Sequence, residues 1–272
     1  MMIKALLPVL IFIICLFFWW HKESPFRWIV YYGTELREQD LKGIDLAIVQ
    51  PGAVDPQKFK NRQTKLIAYL SVGEAETSRE DWPEVSGKTW VIEPNPDWPG
   101  SYRVDIRSKE WQELLLKRRI PKILEEGFDG LFLDTIDLPL YLEESDPKKY
   151  SGSKETLLQW VRTLRSQYPK ILLFPNNALG LLEDYGEIID GVVVEDLYTD
   201  YNFEKKRSEP TPETITQNKE RLLDDFKRRY RKPVLNILYE TSSKSELARS
   251  AVKRSDEKGY FWYLTTIDLM KK

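Results

Sequence analysis

The sequence predicts an α/β protein, a (β/α)₈ TIM barrel preceded by an N-terminal apolar segment. Three observations lead to this prediction. Eight short apolar runs recur along the chain, and helical patterns separate most of them. After the apolar segment, roughly 250 residues remain, which is a length typical of one such barrel.

The first element is an unbroken apolar run from Ala5 to Trp20 with basic residues on both sides. Its length lies between a secretory h-region of roughly 7–15 residues and a bilayer span of about 20. Bulky or charged residues follow the run, where a cleavable signal would need small ones. We interpret residues 1–24 as a signal-anchor, with a cleaved signal peptide as the alternative, and residues 25–272 as the barrel domain. The domain would then lie outside the cytoplasm, membrane-anchored or secreted.

The eight predicted strands are mostly continuous apolar runs, as expected of parallel strands that are covered on both faces. They span Trp28–Tyr32, Leu46–Gln50, Leu66–Ser71, Gly130–Asp134, Ile171–Pro175, Val192–Glu195, Pro233–Leu238 and Tyr260–Thr265. The alternative is an open doubly wound sheet. However, the turn after the first strand lacks the glycine-rich phosphate-binding pattern that such sheets usually carry there.

Helical patterns connect most of these strands. Predicted helices cover Ser108–Glu126, Ser153–Tyr168, Thr211–Tyr230 and Ser242–Lys258. In the first of them Ser108 is a suitable N-cap, and Pro121 is expected to kink or split the helix. The connection from Gly73 to Arg107 is long and rich in Trp and Pro, and it predicts an elaborated loop.

Composition removes several function classes. The single His and the single Cys lie in or beside the apolar segment, so the domain can hold no disulfide and no His-dependent catalysis or metal site. The net charge of −2 and a pI near 5.8 argue against a nucleic-acid partner. We therefore expect no cofactor and no metal, a monomer, and acid–base chemistry supplied by carboxylates, Lys or Tyr.

Carboxylates end three of the predicted strands. Asp134 ends the fourth strand, Glu195 ends the sixth, and Glu74 follows the third. In a (β/α)₈ barrel these strand ends face one active-site rim. Capping a helix is the alternative role of such an acid. Two facing carboxylates, one protonated and one ionised, suit the cleavage of a glycosidic bond, so we predict Asp134 and Glu195 as the catalytic pair.

Aromatic side chains near strand ends or in loops could stack on sugar rings, although packing within the core or a loop is the alternative for each. We predict five of them as substrate-binding: Trp98, Tyr102, Tyr198, Tyr239 and Trp262.

Several short motifs follow one another: YLSVGE at 69–74, WPG at 98–100, DIRS at 105–108, GFDGLFLD at 127–134, NN at 176–177, GVVVE at 191–195 and GYFWYLTTID at 259–268. Their order and spacing resemble the endo-α-1,4-polygalactosaminidase family (glycoside hydrolase family 114) and its uncharacterised relatives over nearly the whole domain. The resemblance implies an endo-acting barrel enzyme that cleaves α-1,4-linked galactosamine polymers, with Asp134 and Glu195 as the catalytic pair.

The same resemblance implies substrate-binding roles for Glu74, Asp105 and Asn176. One departure concerns the seventh strand, where this chain has Leu238 at a position that relatives often fill with Asp. The identity of the sugar therefore stays open, as does the alternative of a non-catalytic, surface-tethered carbohydrate-binding barrel. A lyase or aldolase that uses a Lys Schiff base is disfavoured because no Lys ends a predicted strand.

Overall fold

The computed structural model describes residues 26–59 and 63–271. Its strands are β1 Trp28–Tyr31, β2 Leu46–Val49, β3 Lys65–Ser71, β4 Glu74–Glu76, β5 Val91–Pro94, β6 Ser101–Val104, β7 Gly130–Asp134, β8 Leu172–Pro175, β9 Val192–Val194, β10 Thr199–Asn202, β11 Arg207–Pro210, β12 Val234–Tyr239 and β13 Phe261–Thr265. Its helices are α1 Trp82–Val85, α2 Lys109–Leu114, α3 Ile120–Glu125, α4 Leu138–Ser145, α5 Ser153–Gln167, α6 Leu182–Tyr185, α7 Glu213–Tyr230 and α8 Glu246–Lys258.

Eight parallel strands form the centre of the fold, in the order β1-β2-β3-β7-β8 and β9-β12-β13. A parallel bridge between Asn176 and Val193 joins β8 to β9. On the other side β13 lies beside β1, where the indole of Trp28 donates to the carbonyl of Phe261 at 3.1 Å. The strands therefore follow one another in a ring. The predicted α/β fold with a parallel barrel is confirmed for the described residues.

The strands are buried because nearly all of their side chains are aliphatic or aromatic. The three valines of β9 and the four residues of β2 are 0% exposed. Helix α5 adds Leu157, Val161 and Leu164 at helical spacing on its inner face, and all three are also fully buried. One large apolar core results, and it holds the strand ends in fixed positions.

The predicted helix at 108–126 is present but interrupted. Ser108 accepts a hydrogen bond from the backbone N–H of Trp111 and begins the helix as predicted. A π-helical turn at Leu115–Arg119 separates α2 from α3. Pro121 is the second residue of α3, just beyond this turn, and its ring and missing N–H prevent a regular α-helical hydrogen bond there.

Two β-hairpins extend the fold. The connection after β3 contains the antiparallel strands β4, β6 and β5, which is more regular than the predicted loop. After β9, strands β10 and β11 form a second antiparallel pair that the sequence did not predict, because its residues alternate weakly and carry many charges. Both hairpins leave the barrel from the carboxyl ends of parallel strands.

The predicted signal-anchor at residues 1–24 lies outside the described residues. Within 26–59 and 63–271, no helix is long and apolar enough to cross a membrane.

Candidate active site

The ends of β7, β8 and β9 bring three polar side chains together. Asp134 is the last residue of β7, Asn176 follows β8, and Glu195 follows β9. The amide Nδ2 of Asn176 donates to Oδ1 of Asp134 at 2.9 Å and to Oε1 of Glu195 at 2.8 Å. Because both carboxylate oxygens bond the same nitrogen, they lie no more than about 6 Å apart. The two predicted catalytic acids therefore face one another.

Two tyrosines complete the cluster. The phenol of Tyr69, on β3, interacts with Asp134, and the phenol of Tyr239, the last residue of β12, interacts with Glu195. Tyr32 packs edge-on against Tyr69 with ring centroids 5.2 Å apart. Burial, and then the nearby carboxylates, raise the pKa of all three phenols well above the ordinary value. They therefore act as neutral hydrogen-bond donors.

The environment disfavours two negative charges at this pair. Burial raises the pKa of Glu195 to about 8, and the charges of Asp134 and Asp196 add to the effect. Burial also raises the pKa of Asp134, but hydrogen bonds from Asn176, the Thr135 backbone and Tyr69 oppose that rise. The two acids thus differ in how strongly their ionised forms are stabilised, as a proton donor and its ionised partner require.

The backbone beside these acids adopts an uncommon conformation. Thr135, Asn177 and Asp196 follow three neighbouring barrel strands, and their φ angles are 52°, 53° and 53°. Non-glycine residues rarely occupy this left-handed region, and strained backbone of this kind clusters at functional sites. The turns aim the preceding side chains, Asp134, Asn176 and Glu195, at a common point.

The main chain of Glu195 is held at both ends. Its N–H donates to Oδ1 of Asn177 at 3.1 Å, and its carbonyl accepts from Nζ of Lys219 at 2.8 Å. The same ammonium donates to the carbonyl of Asp196 at 3.0 Å. Lys219, on α7, therefore fixes the strained turn that carries the acid.

Two further predicted residues lie on the same face of the barrel as the pair. Glu74 is buried beside Asp134, accepts from Nδ2 of Asn95 at 2.7 Å, and has its pKa raised, mainly by burial. Trp98 lies at the tip of the β5–β6 hairpin and is 49% exposed. Asn176 and Tyr239 belong to the cluster itself. Of the ten predicted site residues, six are thus placed at or near the rim.

The other four have different neighbours. Asp105 pairs with Arg107 at 2.7 Å, and Tyr102 packs on the ring of Trp82 at 4.8 Å. The hydroxyl of Tyr198 donates to Glu220 of α7, and the indole of Trp262 donates to Asp256 of α8.

Position in the fold explains why these four are separate from the acids. Trp262 is the second residue of β13 and not its carboxyl end, and its side chain faces a helix. Asp105 and Tyr102 make their contacts within the connection between β3 and β7, where they help to hold that connection together. We leave all four out of the proposed substrate site.

Sequence reasoning missed several residues of the cluster. Tyr32, Tyr69, Asn177 and Lys219 carry no acidic charge and so did not stand out. Strand alternation could have identified Tyr69, since it shares a face of β3 with Ser71, the residue paired with Asp134. The role of Lys219 depends on contact between a helix and a turn, which no local pattern shows.

Glu240 does not take the place of the acid that relatives often carry near the end of the seventh barrel strand. Its carboxylate accepts from the backbone of Thr241 and Ser242 and from the Ser245 hydroxyl, and so it caps its own loop. Leu238 is fully buried on the face of β12 opposite to Tyr239. Neither side chain reaches the acid pair.

Within 26–59 and 63–271, no group of three or more His, Cys, Asp or Glu residues is arranged to hold a metal ion. The rim brings two carboxyl groups together on a parallel barrel, an arrangement that glycoside hydrolases use.

Comparison with known proteins agrees with that class. The family model described as glycoside-hydrolase family GH114 matches residues 19–272. The chain therefore belongs to glycoside-hydrolase family GH114.

Relatives and solved structures extend the likeness. An uncharacterised protein from Deinococcus radiodurans is 28% identical over 252 residues, covering 86% of this chain and 77% of that protein. The glycoside hydrolase domain of PelA from Pseudomonas aeruginosa superposes with a TM-score of 0.78 at 23% identity, covering 91% of this chain and 97% of that one. Aspergillus fumigatus Ega3, solved in complex with galactosamine, gives 0.67 at 16% identity, with coverages of 92% and 94%. Both structures show the same fold.

Proposed function

We propose that this glycoside hydrolase cleaves an amino-sugar polysaccharide of the α-1,4-galactosaminoglycan type internally, with Asp134 and Glu195 as its two catalytic carboxyls. The observation that carries the proposal is the bridge of Asn176 between the two acids. One amide nitrogen bonded to both carboxyl groups fixes their separation and leaves them facing one space.

The separation supports a retaining mechanism. Retaining enzymes hold their carboxyl groups about 5–5.5 Å apart, whereas inverting enzymes leave about 6.5–9.5 Å for a water molecule. The oxygens that share Asn176 lie no more than about 6 Å apart, which is below the range of inverting enzymes. Asp134, whose ionised form is stabilised by Asn176, the Thr135 backbone and Tyr69, is the proposed nucleophile, and Glu195, with its pKa raised to about 8, is the proposed acid.

The steps follow from these roles. The Asp134 carboxylate attacks the anomeric carbon while Glu195 gives its proton to the departing glycosidic oxygen, which breaks the C–O bond and forms a glycosyl ester on Asp134. Glu195, now ionised, then takes a proton from water. The oxygen of that water attacks the anomeric carbon and releases Asp134. The proton that Glu195 has taken returns it to its starting, protonated form.

Several acids around the pair favour a cationic sugar. Glu74 and Asp137 lie close enough to Asp134 for its charge to raise the pKa of each, after the larger effect of burial. Asp196 lies beside Glu195 and has a pKa of about 6, also raised by burial. Acids concentrated at one rim attract ammonium groups. The galactosamine in the complex with Ega3 and the resemblance of the motifs point to the same substrate class.

The experiment uses the full chain with partly de-N-acetylated α-1,4-galactosaminoglycan and with its fully acetylated form. Mass spectrometry of the products should show a ladder of internal fragments, formed faster from the de-N-acetylated polymer. The double variant Asp134→Asn/Glu195→Gln should release none. Wild-type protein that binds the polymer without releasing fragments would instead indicate the non-catalytic sugar-binding alternative.

Export of the domain and its attachment through residues 1–24 remain part of this proposal, because that segment lies outside the described residues. A polysaccharide substrate outside the cytoplasm agrees with it. A fusion of residues 1–24 to a reporter that is active only after export would test the prediction directly.

A further inference from the structure

An exposed pair of aromatic rings joins the two hairpins. Trp98, in the turn between β5 and β6, is 49% exposed, and Phe203, in the turn between β10 and β11, is 48% exposed. Their ring centroids are 5.9 Å apart and the planes are nearly perpendicular, at 87°. Tyr201 extends the group, with its ring 5.1 Å from that of Phe203. We call Trp98, Tyr201 and Phe203 the aromatic corner.

The anchoring of the hairpins places the aromatic corner across the mouth of the barrel. The β5–β6 hairpin belongs to the connection after β3, and Asn95 beside its tip bonds Glu74 near Asp134. The β10–β11 hairpin follows β9, and Oγ1 of Thr199 at its base accepts from the N–H of Tyr239 on β12. In the barrel ring, β3 is the third strand while β9 and β12 are the sixth and seventh. Hairpins from nearly opposite sides of the barrel therefore meet on its carboxyl-end face, the face that carries the acids.

Packing alone explains the aromatic corner poorly. Large apolar side chains that serve packing are usually buried, and the fold has a core that could accept them. Here about half of each ring faces solvent at the catalytic rim. The perpendicular rings leave aromatic surface open beside the space that a polymer entering the site must cross.

The chemistry of the rings fits an amino sugar. A flat ring offers a large rigid surface for the C–H face of a pyranose, and the negative face of a Trp attracts an ammonium group. The rim acids attract the ammonium group of the sugar but offer no flat surface to its ring. The aromatic corner would provide that surface and so favour a sugar ring over another cation.

We propose that the aromatic corner of Trp98, Tyr201 and Phe203 is a second sugar-binding site, which holds one amino-sugar unit of the polymer away from the bond that is cleaved. This inference rests on the proposed function, because it takes the polymer as ligand. Its consequence is a preference for long chains, since only they reach the acid pair and the aromatic corner together.

The test compares Trp98→Ala and Phe203→Ala with Trp262→Ala, a matched loss of an aromatic side chain that is 39% exposed but faces α8. For the long de-N-acetylated polymer, each aromatic variant should raise KM about three- to tenfold with kcat unchanged, as expected for loss of one stacking contact. For a disaccharide glycoside carrying a chromogenic leaving group, kcat/KM should stay at the wild-type value. Trp262→Ala should match the wild type on both substrates.

A binding measurement separates failure of this inference from failure of the proposed function. Calorimetry with the inactive Asp134→Asn/Glu195→Gln protein should show three- to tenfold weaker polymer binding when Phe203→Ala is added, and Phe203→Trp should restore it. Equal affinity with and without Phe203 would overturn the second site. Equal losses on the polymer and the short glycoside would also overturn it, because the rings would then support the catalytic centre itself.

Discussion

Acids occur at both ends of the barrel, and their surroundings differ. At the amino ends, Asp45 precedes β2, Asp129 precedes β7 and Asp190 precedes β9. Each carboxylate accepts a backbone N–H from the start of a neighbouring barrel strand, those of Arg27, Leu66 and Leu173 at 2.9–3.0 Å. Lys65 also bonds Asp129, and Arg165 bonds Asp190. These acids join adjacent strands through hydrogen bonds to the backbone.

At the carboxyl ends, Asp134 and Glu195 face each other and share the amide of Asn176. Burial raises the pKa of both, which shows that their ionised forms are less favourable than in water. The comparison teaches that an acid beside a strand stabilises the barrel when backbone N–H groups and a cation surround it. In the proposed function, an acid serves chemistry when another acid and phenols surround it.

The largest expected effect is on activity at the carboxyl ends. Asp134→Asn and Glu195→Gln, made singly, should each lower kcat on the polymer at least about 10²-fold, because each removes a group that exchanges a proton or forms a bond with the substrate. The measurement is the initial rate of new reducing ends. A loss below about fivefold in either variant would exclude that residue from the pair.

The next effect is on stability at the amino ends. Asp190→Ala leaves the N–H of Leu173 and the guanidinium of Arg165 without their carboxylate, and it should lower the free energy of unfolding by about 2 kcal/mol. Urea denaturation followed by circular dichroism gives this value. The activity of the folded variant should stay within about twofold of the wild type, and unchanged stability would refute the structural role.

The pH dependence of stability should separate the two ends further. The folded-state pKa of Glu195 is raised to about 8, above the ordinary value of 4.5, so its stabilising contribution is complete below about pH 4.5 and is lost as the pH rises through 8. Glu195→Gln cannot ionise. Its unfolding free energy relative to the wild type should therefore rise by at least about 1.4 kcal/mol, one pKa unit, between pH 4 and pH 8.5. A constant difference across that range would contradict the raised pKa.

The smallest expected effect is on kcat, in a comparison of two lysines of α7. Nζ of Lys219 donates to the carbonyls of Glu195 and Asp196, and Nζ of Lys227 donates to those of Lys258 and Gly259. Both lose similar bonds on change to Met, but only Lys219 holds the turn of the catalytic acid. Lys219→Met should lower kcat on the order of fivefold through misplacement of Glu195, and Lys227→Met should not. Rescue by Lys219→Arg would confirm a positioning role, whereas equal kcat values in the two Met variants would contradict it.

The sequence predicted the parallel barrel because its strands are continuous apolar runs, which leave little choice of structure. It also predicted Asp134 and Glu195, because an acid directly after such a run must lie at a strand end. Of the four candidates that lie elsewhere, Asp105 was chosen from the motif resemblance, and the three aromatic residues were chosen for their type and for their place in loops or near strand ends. Their orientation depends on tertiary contacts. Asn176 was chosen from the motif resemblance, but its bridging contact requires three strand ends to converge.

Phe203 is a residue that the sequence did not indicate and that the structure places in the aromatic corner. Its hairpin is polar and irregular in sequence, so no local pattern predicts the two strands that carry the ring across the barrel mouth. Contacts between separate crossovers form only when the ring of strands has closed. They therefore cannot be predicted from local sequence patterns.

The most direct test measures activity and stability together for Glu195→Gln and Asp190→Ala at pH 8, with the same polymer and the same urea series. The account predicts that Glu195→Gln loses at least about 10²-fold in kcat while its free energy of unfolding is equal to or above that of the wild type. It predicts that Asp190→Ala keeps its kcat and loses about 2 kcal/mol of stability. If Glu195→Gln is destabilised and still active, the assignment of the acids at the carboxyl ends to catalysis is contradicted.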